Sequence, residues 1–277
     1  MMKKIIYTLL VLCLATMLFF GSKAYSHAKA YEDTTATLVK QMSAKKLAEF
    51  QLQELAELFS LGFYKNGKKK ELQRLKKEAN LHKIESKKYA LYALLPLLII
   101  LGSYFLLSLR AFTIFGALGA LITLIFGLIT PIMMVTIHKE VEYLGDVVLS
   151  FESKGLIGSI SKLFENGDVV VAVVILLFSV LVPMVKTLSL LFVSVFMQSK
   201  FAHGMVKFFK MIGKWSMVDV FVVATFLVYL TANKGDVSRA EVEVGLYFFL
   251  AYVIVSMLVS LSADRMLHQY KEKVSSQ

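Results

Sequence analysis

The feature that most limits what this chain can fold into is its series of long apolar runs. Four are plain, at about residues 89–109, 111–137, 169–197 and 216–232, and a fifth covers about 242–261. Each is close to the roughly 20 residues that carry a helix across the hydrocarbon core of a bilayer. Backbone groups in lipid must be satisfied within the segment, so runs of this kind are helices rather than isolated strands. With 57% hydrophobic residues among 277, the chain reads as an all-α integral membrane protein.

A sixth run, residues 5–20, follows the positive start Met1-Met2-Lys3-Lys4. It is short, and Ala28-Lys29-Ala30 resembles a small-residue cleavage site, as in a signal peptide. Extended by Gly21 and Ser22, the same run makes a first membrane helix, giving about six transmembrane helices in all. Residues 1–22 are thus a first helix or a signal peptide. The helical pattern that follows favours a helix continuing out of the membrane.

The only cysteine is Cys13, within that first run. An intramolecular disulfide and a multi-cysteine zinc site are therefore excluded. No metal or other cofactor is expected. The net charge of +11 would suggest nucleic acid in a soluble protein. Here the basic residues flank membrane spans, which points to anionic head groups and topology control, with no nucleic-acid partner.

Residues 23–88 hold the one sizeable polar segment. Leu47, Phe50, Leu55 and Leu58 recur at helical spacing, Asn66-Gly67 signals a turn, and Leu72, Leu75, Ala79 and His82 mark a second helical face. This predicts a helical hairpin joined to a membrane span at 89–110. Its second arm is basic, with Lys68, Lys69, Lys70, Arg74, Lys76, Lys77, Lys87 and Lys88. In the 111–137 run, Gly116 and Ala120 form a small-xxx-small pair that permits close helix packing. Thr130-Pro131 should bend or end that helix near the far interface. Between the third and fourth runs, Leu156, Ile157, Ile160, Leu163 and Phe164 suggest an amphipathic helix along the membrane surface.

The 200–214 loop has four lysines and no acidic residue, whereas 138–168 has three lysines against six acidic residues. The positive-inside rule puts the first in the cytoplasm and the second outside. The 266–277 tail is then cytoplasmic. By parity the hairpin is outside, against the sign of its own lysines, a bias that weakens in a loop of this length.

Two charges fall inside apolar runs. Lys186 lies near the middle of 169–197, and Asp219 lies just inside 216–232. Intramembrane ionisable groups cost several kcal/mol or so, and they pair or line a polar path. Pro183, one turn before Lys186, should loosen its helix. Thr187 and Ser216 add polar neighbours. The residues predict one shared polar network, which either orders the helices or takes part in transport.

The segment Trp215-Ser216-Met217-Val218-Asp219-Val220-Phe221 closely resembles the signature of the paraquat-inducible protein A family. Leu177 to Lys186, with Pro183, is similar to the family's apolar-Pro-x-x-Lys segment. Leu128-Ile129-Thr130-Pro131 is similar to its proline-ended first helix. The resemblance covers 111–265 as one four-helix module, with the N-terminal helical hairpin pair added to it. It implies a multi-pass protein of the bacterial inner membrane with a cytoplasmic C-terminus. It also implies lipid handling beside a periplasmic protein with mammalian-cell-entry (MCE) domains. Lys186 and Asp219 fall on the family's motif lysine and aspartate. The chain departs from many members in carrying one module rather than two, and no cysteine-pair zinc ribbon. Self-association is therefore an alternative to a second module.

Three functions follow: a lipid-transport or envelope-maintenance subunit, an ion- or proton-coupled transporter, and a membrane scaffold or envelope-stress protein. An enzyme is not expected, because no nucleophile–base grouping or metal-ligand spacing is visible among the scattered histidines.

Overall fold

The computed structural model describes residues 2–41, 67–141, 145–195 and 238–275. Two long helices come first, α1 (Met2–Gln41) and α2 (Gly67–Gly102). A 3-10 turn leads to α3 (Leu109–Ile129), then strands β1 (Met133–Val141) and β2 (Gly145–Lys154) and helix α4 (Leu156–Glu165). α5 (Val169–Leu176), a π-turn (Leu177–Leu181) and α6 (Val182–Val195) are consecutive. Strand β3 (Ser238–Val242) runs into α7 (Val244–Ser275). Among the described residues, five helical segments are long and apolar enough to cross a membrane: α1, α2, α3, the α5–α6 stretch and α7. The sixth predicted span, 216–232, lies outside the described residues, as do Leu47, Phe50, Leu55 and Leu58. The protein is an integral membrane protein built on helices.

α3 has 21 residues, about 31 Å at 1.5 Å per residue, which matches the hydrocarbon core. Its ends mark the two interfaces. α1 runs parallel to it: Tyr7 stacks on Phe115 with ring centroids 6.0 Å apart, and Gly21 lies against Phe126. α2 runs the other way, with Leu97 against Gly119 and Tyr104 against Phe112. The polar parts of α1 and α2 therefore leave the membrane together at the Ile129 end. Residues 23–41 of α1 extend roughly 28 Å beyond the bilayer. The two arms pack through Ala24, Ala90 and Ala93 near the membrane, and through Tyr31, Leu38 and Ala79 further out. α1 and α2 are each continuous with a span, and the residues predicted to form the first arm of the hairpin, Leu47 to Leu58, lie outside the described residues.

α3 and α7 pack closely along their length. Moving along α3 through Thr113, Gly116, Gly127 and Thr130, the partners on α7 fall back through Ser262, Val259, Phe249 and Gly245. A Cβ on Gly127 would lie 2.9 Å from the Phe249 amide nitrogen, and one on Gly116 would lie 2.6 Å from Val259 Cγ2. Gly127 lets the helix approach the α7 backbone, and Gly116 makes room for the Val259 side chain. Ala120, beside Gly116 in the predicted motif, is also buried.

The helix predicted in the 111–137 run stops at Ile129. Thr130 takes an extended conformation (φ −85°, ψ 145°), because the ring of Pro131 disfavours the helical region for the residue before it. The chain then enters a small antiparallel sheet in the order β2-β1-β3. Met133 pairs with Lys154 on one side and Val242 on the other. The sequence Met-Met-Val-Thr-Ile is rich in β-branched residues, which suits a half-buried strand. This corrects the reading of 111–137 as a single apolar helix, since its last residues enter β1 instead. Residues 145–154 are a strand, and the expected amphipathic helix is confined to α4. On α4, Ile160 is buried while Ile157 and Phe164 stay exposed.

Gly127→Ala should reduce the folded fraction in a detergent thermal-stability assay, because the new methyl meets backbone rather than a movable side chain. Gly158→Ala on α4, where nothing lies within 4 Å, should be neutral or gain up to about 1 kcal/mol. Cysteines placed at Lys69 and Asp264 should react with an impermeant thiol reagent from opposite sides of the membrane. Reaction of both from one side would contradict the shared direction of α2 and α7, each of which runs antiparallel to α3.

Candidate functional site

Lys186 lies on α6 and is only 4% exposed. Pro183 stands one turn before it and is also buried. Proline has no N–H, so the ladder donor that would reach the Ser179 carbonyl is missing. The wider π-turn at Leu177–Leu181 occupies that place, as such turns do where a helix ladder is interrupted.

The carbonyl of Pro183 itself gathers hydroxyls. Thr187 Oγ1 donates to it at 2.9 Å, and Tyr252 Oη on α7 donates at 3.2 Å. The two hydroxyl oxygens are 3.4 Å apart. Thr187 and Tyr252 are both essentially sealed from solvent, and Ser189 is buried one turn further along α6. Tyr252 sits roughly 12 Å into α7 from its Val244 end. Two spans are thus joined by polar groups at a depth where water would otherwise have to supply them.

Sequence reasoning named Pro183, Lys186 and Thr187, and the structure places them together on α6. It missed Tyr252. The available signal was a tyrosine well inside the 242–261 run rather than at its ends, where interfacial aromatics belong. Trp215, Ser216, Met217, Asp219 and Phe221 lie outside the described residues. Thr130 and Pro131 stand apart from Lys186, at the α3–β1 junction. The Thr130 hydroxyl is buried there with no partner among the described residues.

At the opposite end of the site, Arg110 of α3 donates from Nε to the Ser194 carbonyl (2.9 Å) and from Nη2 to that of Val195 (2.8 Å). This fastens the Leu109 end of α3 to α6. Nearby, a groove of about 290 Å³ is walled by Leu101, Phe105, Phe112, Leu258 and Leu261. Arg265 lies at its edge, hydrogen-bonded to the Tyr104 hydroxyl at 2.6 Å.

Histidines that look scattered in sequence also meet. His27 Nδ1 and His82 Nδ1 are 3.1 Å apart across the hairpin, one ring donating and the other accepting. Tyr89 stacks on His27 with centroids 5.2 Å apart. Among the described residues no group of three histidine, cysteine or acidic side chains could hold a metal ion.

A bundle in which a proline-loosened span buries a lysine beside a tyrosine and a threonine defines a multi-pass helical membrane protein with a polar interior site. The chain belongs to the paraquat-inducible protein A family, whose profile matches residues 111–270. A relative from Haemophilus influenzae, named a probable intermembrane transport protein, is 27% identical over 115 residues. That match covers 39% of this chain and 27% of the relative, so the chain spans about a quarter of the relative's length. No solved structure matches the chain significantly.

Tyr252→Phe should keep the ring packing and lose one intramembrane hydrogen bond, at a cost of about 0.6–1 kcal/mol. Tyr252→Ala should cost about 3–5 kcal/mol through the cavity it leaves. Equal losses in detergent unfolding would show that the hydroxyl, not the ring, dominates.

Proposed function

We propose that this protein is an inner-membrane subunit of an intermembrane lipid-transport or envelope-maintenance system, acting with a periplasmic MCE-domain protein. The observation that carries this reading is the buried Lys186 on a helix already loosened by Pro183 and its π-turn. A cation kept at that depth must be offset by specific partners, so membrane proteins hold it where it acts on a passing group or orders a path. Family membership and the name of the Haemophilus influenzae relative support movement between membranes as the setting. The apolar groove with Arg265 at its edge suits an acyl chain under an anionic head group.

In this proposal the hairpin and sheet face the periplasm and the C-terminus faces the cytoplasm. The lysine-rich 200–214 loop and the acidic 138–168 segment support that orientation. The hairpin then offers the periplasmic partner a surface raised above the bilayer. Lipids are the cargo, and no chemical conversion is assigned to the protein.

Lys186→Met tests the role of the charge. Methionine keeps the length and removes both the charge and its need for a partner. If Lys186 works in transport, the variant should insert at normal abundance and lose protection against detergent and lipid-asymmetry stress. If the lysine only balances Asp219, the single change strands an unpaired charge and protein level should fall. Lys186→Met with Asp219→Asn should then recover abundance and activity together. Full activity of that double variant at normal abundance would overturn the transport role.

A further inference from the structure

Glu243 is the residue between β3 and α7, immediately before the α7 span. Its backbone N–H donates to the Ile132 carbonyl at 2.9 Å, which fixes it beside the start of β1. The side chain is 1% exposed. Neither carboxyl oxygen has a hydrogen-bond partner among the described residues. A carboxylate in that setting is costly, whereas a neutral carboxylic acid is far less so.

The charged and titratable groups facing it are few. From α2 come Lys83 and Lys87, from β3 comes Glu241, and from α1 comes Tyr31. Lys83 is already committed: it is ion-paired with Glu241 and lies 5.7 Å over the Tyr31 ring. Lys87 is exposed. The buried acid thus sits on the seam between the N-terminal hairpin and the family module, within electrostatic reach of Lys87 of the hairpin.

We propose that Glu243 is a proton-binding site at this seam, with the Lys87 ammonium as the alternative partner for the same carboxylate. Burial pushes the Glu243 carboxyl up to about 7, against the pull of Lys87 and Lys83 and with help from Glu241. On release the O–H bond breaks, the proton passes to water and the carboxylate keeps the electron pair. Lys87 can then swing in and join α2 to the head of α7. The proton and the ion pair exclude one another, so the grip between hairpin and module follows the pH on that side of the membrane. This site is separate from Lys186 and does not depend on the proposed transport role.

The test uses the full chain in lipid bilayers and infrared pH-difference spectra, which report protonated carboxyl groups directly. The wild type should lose a buried-carboxyl band with a midpoint near neutrality, and Glu243→Gln should lack that band. Lys87→Met removes a charge that favours the carboxylate, so it should move the midpoint to higher pH. The sign for stability agrees: a carboxyl raised from 4.5 to about 7 favours the folded state below 4.5 and loses that contribution as pH rises through about 7. The wild-type Tm should therefore fall across that window, and that of Glu243→Gln should fall less. Identical difference spectra for wild type and Glu243→Gln would overturn the proposal. If Glu243→Gln does not fold, an unmoved midpoint in Lys87→Met overturns it instead.

Discussion

The close approach of α3 and α7 is the contact on which the rest of the structure depends. Lipid tails offer no hydrophobic drive for helices to associate, so packing and hydrogen bonds must hold them. Gly127 brings the two backbones together inside the membrane, Gly116 admits the Val259 side chain, and Gly245 lies against the carbonyls of Thr130 and Pro131 at the edge. That edge contact also sets the sheet. Gly245 donates to the Pro131 carbonyl and Glu243 to that of Ile132, so β3 can only lie beside β1. The position of Tyr252 follows from the same register, and with it the hydroxyl that reaches Pro183 on a third helix.

Much of this was legible in the sequence, and the limits have physical causes. The spans were legible because lipid admits long apolar helices and little else. The stop at Thr130 was legible because proline acts on its immediate neighbour. The sheet was not, because Met133 to Ile137 continues an apolar run, and short apolar segments carry no period that separates strand from helix. On the site, Pro183, Lys186 and Thr187 were visible because a charge and a proline stand out in hydrocarbon. Tyr252, Arg110 and the His27–His82 contact were not, because each depends on which helices become neighbours. Spacing along one chain does not encode that. The association of Lys186 with Asp219 rests on a segment outside the described residues.

The polar groups of the membrane interior share one arrangement. The hydroxyls of Thr187 and Tyr252 converge on the Pro183 carbonyl, one turn beyond the ladder gap that the proline makes. Thr113 and Ser262 exchange a hydrogen bond between α3 and α7 at 3.2 Å. Arg110 closes the far end on the carbonyls of Ser194 and Val195. In each case a side chain from one span meets a polar atom of another, so the spans are tied at several depths. The family module is a set of helices with fixed mutual register, and the buried lysine sits within that frame.

α1 passes from the bilayer into the head with no break between Met2 and Gln41. An unbroken helix resists bending over this length, so it behaves as a lever with its fulcrum at the interface. A tilt of about 10° within the membrane would carry the outer tip sideways by about 5 Å, given its roughly 28 Å of reach. Small rearrangements among the spans are thereby magnified at a distance from the lipid. The reverse also holds: a force applied at the tip is delivered, with mechanical advantage, to Gly21 and Phe126 where α1 bears on α3.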